Sequence, residues 1–178
     1  MPEWTGGQHP PPLEVRESIR FEEVSFRYSS DGPLVLDRVN LQIQSGTTVG
    51  IVGETGSGKS TALDLLMGFL EPSLGSILVD GNLVSGIRRR SWQRNIAHVP
   101  QMIFLADASF AENIAFGVPV EEIDMGRVRE AAGIAAVADF IESGPDAYGA
   151  RAGERGVNIS GGQRQRIGIA RALYKGAK

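Results

Sequence analysis

Residues 51–61 read "IVGETGSGKST", and the run "TVGIV" (48–52) leads straight into their glycines. The chain has only three lysines in 178 residues, and Lys59 is one of them. An apolar run of this kind reads as a strand buried on both faces. Beyond it, Leu63, Leu66, Met67 and Leu70 recur at i, i+3, i+4 and i+7, which is one face of a helix that must stop before Pro72. The stretch therefore reads as strand, glycine loop and helix, and that reading sets the fold class as α/β.

Gly53, Gly58, Lys59 and Ser60 satisfy G-x-x-x-x-G-K-[ST], with Glu54, Thr55, Gly56 and Ser57 forming the loop between. Glycines let successive backbone N–H groups turn inward as a nest for the β- and γ-phosphates of a nucleotide, and the following helix aims its positive end at the same charge. Lys59 would bridge the outer phosphates. Ser60 offers a hydroxyl ligand to Mg2+, and Thr61 can hold the phosphate side of the loop. An incidental lysine in a glycine-rich turn would not need a strand before it and a helix after it.

Working outward, Ile19 and Phe21 share one face. After Glu22 and Glu23 the phase shifts so that Val24, Phe26 and Tyr28 share a face, as in a bulged strand. "SSDG" (29–32) makes a turn, and Val39, Leu41 and Ile43 alternate again, so this part reads as antiparallel, half-buried strands. "SILVDGNLV" (76–84) reads as a hairpin turning at Asp80 and Gly81, and "NIAHVPQ" (95–101) as a short strand ended by Pro100. Ser109 with Glu112 forms a capping box. Residues 121–142 suggest two more short helices broken near Gly133, and Ser160 caps a last helix carrying Ile167, Ala170 and Leu173 on one face up to Gly176. The opening residues, with Gly6, Gly7 and Pro10–Pro12, read as a linker.

Composition sets the outer limits. A formal net charge of -3 gives no general attraction for nucleic acid, and the cluster Arg88–Arg90 is too short to change that, so no nucleic-acid partner is expected. Zero cysteines leave no disulfide framework or thiolate metal site and suit a reducing compartment. No apolar stretch approaches the roughly 18 residues of a membrane-spanning helix.

"ISGGQRQRIGIARAL" (159–173) places Ser160, Gly161, Gly162 and Gln163 at a helix start, with a hydroxyl and free N–H groups at its positive end. That makes a second anion site. This segment resembles the signature sequence of the ATP-binding cassette (ABC) family, and the resemblance extends from about Ile19 to Tyr174. It implies ATP and Mg2+ as ligands, and a head-to-tail dimer in which each signature helix closes on the ATP held by a second nucleotide-binding domain. Tyr28, 25 residues before Gly53, matches the family's aromatic residue that stacks on adenine, although an aromatic residue finishing a strand would occupy the same place. Gln101 is similar to the family's glutamine that touches Mg2+ and the attacking water, which makes it the candidate catalytic and metal-contacting residue. "AGERG" (152–156) and "SFAENIAFG" (109–117) resemble exporter-type segments, with Glu154 and Arg155 facing transmembrane domains at the cytoplasmic face of a membrane.

The implied fold is a P-loop NTPase (ABC ATPase) core with an antiparallel β subdomain and a helical insertion. Its expected divisions are a linker at 1–17, the ATP-binding core at 18–101, a helical subdomain at 102–159 and the signature helix at 160–178. The expected function is ATP binding and, in the complete protein, ATP hydrolysis that powers export of a substrate across a membrane. Alternatives are a non-catalytic nucleotide-binding or assembly module and a soluble ABC ATPase not coupled to transport. One departure stands out: the family continues from the signature helix into an apolar strand ending in Asp-Glu and then a switch histidine, and neither is matched here. Asp80 is followed by glycine in a turn, and His98 precedes Gln101. The expectation is a C-terminally incomplete domain, inactive by itself.

Overall fold

A computed structural model of the chain describes residues 13, 15–152 and 159–176. Its Cα atoms group into two compact units, 1–96 and 97–178. In the first, strands β1 (Ser18–Phe26), β2 (Leu36–Gln44), β3 (Leu74–Val79) and β4 (Asn82–Leu83) form one antiparallel sheet in the order β2-β1-β3-β4. Helices α1 (Lys59–Leu66) and α2 (Gly86–Asn95) accompany it. The bulge expected in β1 is present: the register against β2 shifts between Phe21 and Val24, Glu23 takes φ 50°, and Phe21, Val24 and Phe26 all reach the core. One extra residue in the strand is what lets residues of opposite parity bury together.

The β3–β4 hairpin turns at Asp80 and Gly81, with φ of 48° and 74°, as a two-residue turn of the type favoured by Asp-Gly requires. Asp80 is therefore a turn residue and no part of an acidic strand. Its carboxylate accepts from the backbone N–H groups of Arg16 at 2.8 Å, Glu17 at 2.9 Å and Ser18 at 2.9 Å, tying the entry of β1 to the hairpin. The Arg16 bond, with those from Ser18 and Glu17, holds the Asp80 carboxyl below its ordinary range.

Two expected strands are absent. "TVGIV" forms no strand, and Val52 is 92% exposed. An apolar run becomes a buried strand only where neighbouring strands supply ladder partners and a covered face, and no strand among the described residues pairs with 48–52. "NIAHVPQ" likewise has no ladder: Asn95 ends α2 and residues 96–100 are irregular. Along α1 the face that turns inward holds Thr61 and Leu65, while Leu63 is exposed. The helix ends at Leu66 and the chain reverses at Gly68, φ 71°, so the spacing out to Leu70 does not describe one continuous face. Nothing in the apolar pattern announces α2, whose ten residues include four arginines.

The second unit is mainly helical: α3 (Phe110–Ile114), α4 (Met125–Ile134), α5 (Ala138–Glu142) and α6 (Gly161–Tyr174), with a two-stranded ladder of β5 (Ala108–Ser109) and β6 (Arg151–Ala152). Its core collects Phe110, Ile114, Val128, Val137, Ile141, Ile167 and Ala170, with Leu173 packed at its edge. The Ser109–Glu112 capping box forms as expected, and Asp124 caps α4 through the N–H groups of Gly126 and Arg127. Gly176, φ 77°, closes α6. Glu154 and Arg155 lie outside the described residues, as does most of the expected linker. No helix among the described residues is long and apolar enough to cross a membrane.

Candidate functional site

The loop 53–58 enters α1 through Gly58, whose φ of 87° is left-handed and whose added Cβ would lie 2.9 Å from Leu36 Cδ2 and 3.0 Å from the Val35 carbonyl oxygen. Any side chain there would be strained and crowded, so glycine is required by both backbone and packing. No side chain caps the start of α1, and its first turn holds no acidic residue. The positive helix end is therefore left open to an anion.

Lys59 is the first residue of α1, and its ammonium folds back across the loop, donating to the carbonyl oxygens of Gly53 at 2.8 Å and Glu54 at 2.5 Å and reaching Ser57 Oγ at 3.4 Å. Those contacts place a cation at the mouth of the loop, held by carbonyl dipoles that a more strongly charged acceptor could replace. Thr55, Gly56 and Ser60 are exposed around it.

Thr61 behaves differently from its neighbours. It is only 5% exposed, and its Oγ1 lies 2.9 Å from the hydroxyl of Tyr28. Tyr28 itself is 67% exposed, with its ring held edge-on against Phe26 at 4.9 Å between centroids. The fold thus brings Tyr28 to Thr61, just past the loop in the first unit, although 33 residues separate the two.

In the second unit, Ser160 caps α6 in a full capping box: the Gln163 N–H donates to Ser160 Oγ at 3.2 Å, and the Ser160 N–H donates to Gln163 Oε1 at 2.9 Å. The serine oxygen is thus an acceptor within its own helix, with its proton still available to donate. The spacing S-x-x-Q carries this signal. Gly161 and Gly162 are exposed, and a Cβ built on either would meet nothing within 4 Å, so packing within the chain gives no reason for glycine at these two positions.

Gln101 sits at an exposed bend. The segment after it is tied to α6 by Arg171, which the sequence pattern does not mark. Arg171 Nε donates to the Asn113 carbonyl at 2.9 Å and one terminal nitrogen donates to the Phe104 carbonyl at 3.1 Å, with the guanidinium 4.6 Å from the Phe116 ring centre. Burial pushes the arginine's pKa down. Asn113, fully buried, accepts from the Ala106 N–H and donates to the carbonyls of Ala106 and Ser109. Among the described residues no group of three or more His, Asp or Glu side chains is placed to hold a metal ion.

The family model for ABC transporters matches residues 36–178 of this sequence. The chain belongs to the ABC transporter family. It is 42% identical over 97% of its length to a protein of Ralstonia nicotianae named ATP-dependent lipid A-core flippase, of which it covers 29%. With the alpha-hemolysin translocation ATP-binding protein HlyB of Escherichia coli O157:H7 it shares 44% identity over 90% of this chain and 22% of that protein. A solved bacterial Atm1-family ABC exporter with ATP bound superposes with a TM-score of 0.80 at 38% identity, covering 93% of this chain and 29% of that one. The expected ABC ATPase fold is thereby established. This ABC chain spans less than a third of the length of these relatives.

Proposed function

We propose that this chain belongs to the ATP-binding domain of an ABC exporter, a domain that hydrolyses ATP in the complete protein and works from the cytoplasmic face of a membrane. One observation carries the reading: the Lys59 ammonium lies at the mouth of a glycine loop that opens onto the uncapped start of α1. Backbone N–H groups of residues 53–61 would hold the phosphates, Lys59 would exchange its carbonyl partners for phosphate oxygens, and Tyr28 would stack on adenine. The Ser60 hydroxyl and the Gln101 amide would be the candidate protein ligands of Mg2+ brought in with the nucleotide, and the ion would neutralise charge on the outer phosphates. Gln101 would also orient the attacking water.

Ser160, Gly161, Gly162 and Gln163 would serve the ATP of a second nucleotide-binding domain in a head-to-tail dimer. Two exposed glycines without an internal packing role support that, because a ligand approaching closely from outside supplies the missing reason for them. Residues 18–101 would form the ATP-binding core, 102–159 the helical subdomain facing transmembrane partners, and 160–178 the signature helix. The 178-residue chain alone is expected to bind ATP without turning it over, since hydrolysis needs an oriented water and no side chain here matches the family's acidic base.

The test is a titration of the chain with Mg-ATP, following binding and phosphate release together, beside Lys59→Ala. Binding that the substitution abolishes, with release from neither protein, is the expected result. Lys59-dependent release would show that a base is present after all, and absence of ATP binding to the unsubstituted chain would overturn the proposal.

A further inference from the structure

The contact between Tyr28 and Thr61 has a geometry that neither residue's individual role explains. Tyr28 is mostly exposed, yet its ring is fixed at two points: edge-on against Phe26 at 4.9 Å, and through its hydroxyl to Thr61 Oγ1 at 2.9 Å. A solvent-facing tyrosine ordinarily samples several rotamers, and holding it in one costs side-chain entropy. Thr61 is suited to holding it, being buried, β-branched and so restricted at χ1, and set in the first turn of α1 only two residues after Lys59. A flat ring mostly open to solvent, tethered to the helix that begins at the phosphate loop, has the form of a platform kept in register with that loop.

We infer that Thr61 is a positioning residue: its hydroxyl fixes the Tyr28 ring relative to the phosphate loop, so that a nucleoside triphosphate meets a base platform already set at the right offset from its phosphate seat. The inference rests on the nucleotide-binding reading above and adds a residue that determines how well the base, as distinct from the phosphates, is held. Pre-setting the ring lowers the ordering cost that the ligand would otherwise meet on binding.

Phenylalanine at position 28 keeps the stacking face and removes only the tether. Binding of ATP and of inorganic tripolyphosphate, each with Mg2+, is to be measured for the chain and for Tyr28→Phe, Thr61→Val, the double variant and Thr61→Ser. If Thr61 positions the ring, Tyr28→Phe and Thr61→Val each weaken ATP by about three- to tenfold, the double variant is no weaker than either, tripolyphosphate is unaffected, and Thr61→Ser binds ATP as the parent does. ATP affinity unchanged in Tyr28→Phe would overturn the inference, and so would a loss on Thr61→Val that is equal for ATP and tripolyphosphate, which would make Thr61 a phosphate ligand instead. Losses that simply add would do the same. If the parent chain binds tripolyphosphate and ATP equally, there is no base platform to position; if it binds neither, the nucleotide reading itself fails.

Discussion

The indole N–H of Trp92 donates to the carbonyl of Leu66 at 2.6 Å, so a side chain from α2 satisfies the last turn of the helix that starts at the glycine loop. Gln93 adds a bond to the Gly68 carbonyl at 2.7 Å. The carboxyl end of a helix leaves carbonyls without partners, and here two consecutive residues of another helix supply them. The loop's helix is therefore anchored at its far end by long-range contacts. Trp92→Phe keeps most of the apolar volume and deletes the donor, leaving a carbonyl short of its partner beside a buried ring. The expected loss is about 1–2 kcal/mol, read from the midpoint of urea unfolding, and an unchanged midpoint would show that the bond contributes nothing net.

Asp80 links pH to stability. Its carboxyl is held below the ordinary value of 3.8 by the backbone N–H groups of Arg16, Ser18 and Glu17. A carboxyl whose folded pKa is depressed stabilises the fold above its unfolded pKa, and that contribution disappears as pH falls through the folded value. Asn tolerates the positive φ of this turn and removes the charge. At pH 7, Asp80→Asn should melt lower, by about 1 kcal/mol of stability given the residue's partial exposure. The gap between the two proteins should close as pH drops from about 4 toward 2. A gap that stays constant over that range would mean that the carboxylate charge has no part in it.

Gly75 faces the β1 bulge with φ of 82°, and a Cβ there would lie 2.2 Å from the Glu23 carbonyl oxygen and 2.5 Å from that of Glu22. Both obstacles are backbone, so neither can swing away. Gly75→Ala should cost about 3 kcal/mol or more, from the left-handed backbone and the clash together, and is expected to yield little soluble protein. Recovery of Gly75→Ala with a parent-like melting temperature would contradict the strand spacing described here.

Arg171 holds two carbonyls, those of Asn113 and Phe104, with one planar fork. Lysine retains the charge but cannot span both acceptors. Arg171→Met should destabilise the chain by about 1–3 kcal/mol, and Arg171→Lys should restore little of it, as judged by chemical unfolding. Full rescue by lysine would show that charge, not the fork, is what matters.

What could be read in the sequence was whatever is settled within a few residues. The capping box at Ser109, the N-cap at Ser160, the Asp80–Gly81 turn, the phase shift after Phe21 and the glycine loop before Lys59 are each written into a short stretch of sequence, and all appear in the structure. Misreadings came where a pattern needed a distant partner. "TVGIV" has the composition of a central strand, but β structure requires a second chain segment alongside, which composition cannot supply. α2 was invisible for the opposite reason: it buries little more than Ser91 and Trp92, so it carries no apolar stripe.

The candidate site divides the same way. The sequence alone determined the glycine loop before Lys59, the capped start of α6 and the family, because glycine conformations and helix-end donors are local properties written into a short spacing. Only the tertiary structure decided that Thr61 faces Tyr28, that Asp80 caps the entry to β1, that Trp92 closes α1 and that Arg171 ties α6 to Phe104. Each of these joins side chains or backbone groups dozens of residues apart. Which hydroxyl, carboxylate, indole or guanidinium meets which partner depends on how packed elements register, and no short-range pattern encodes that register.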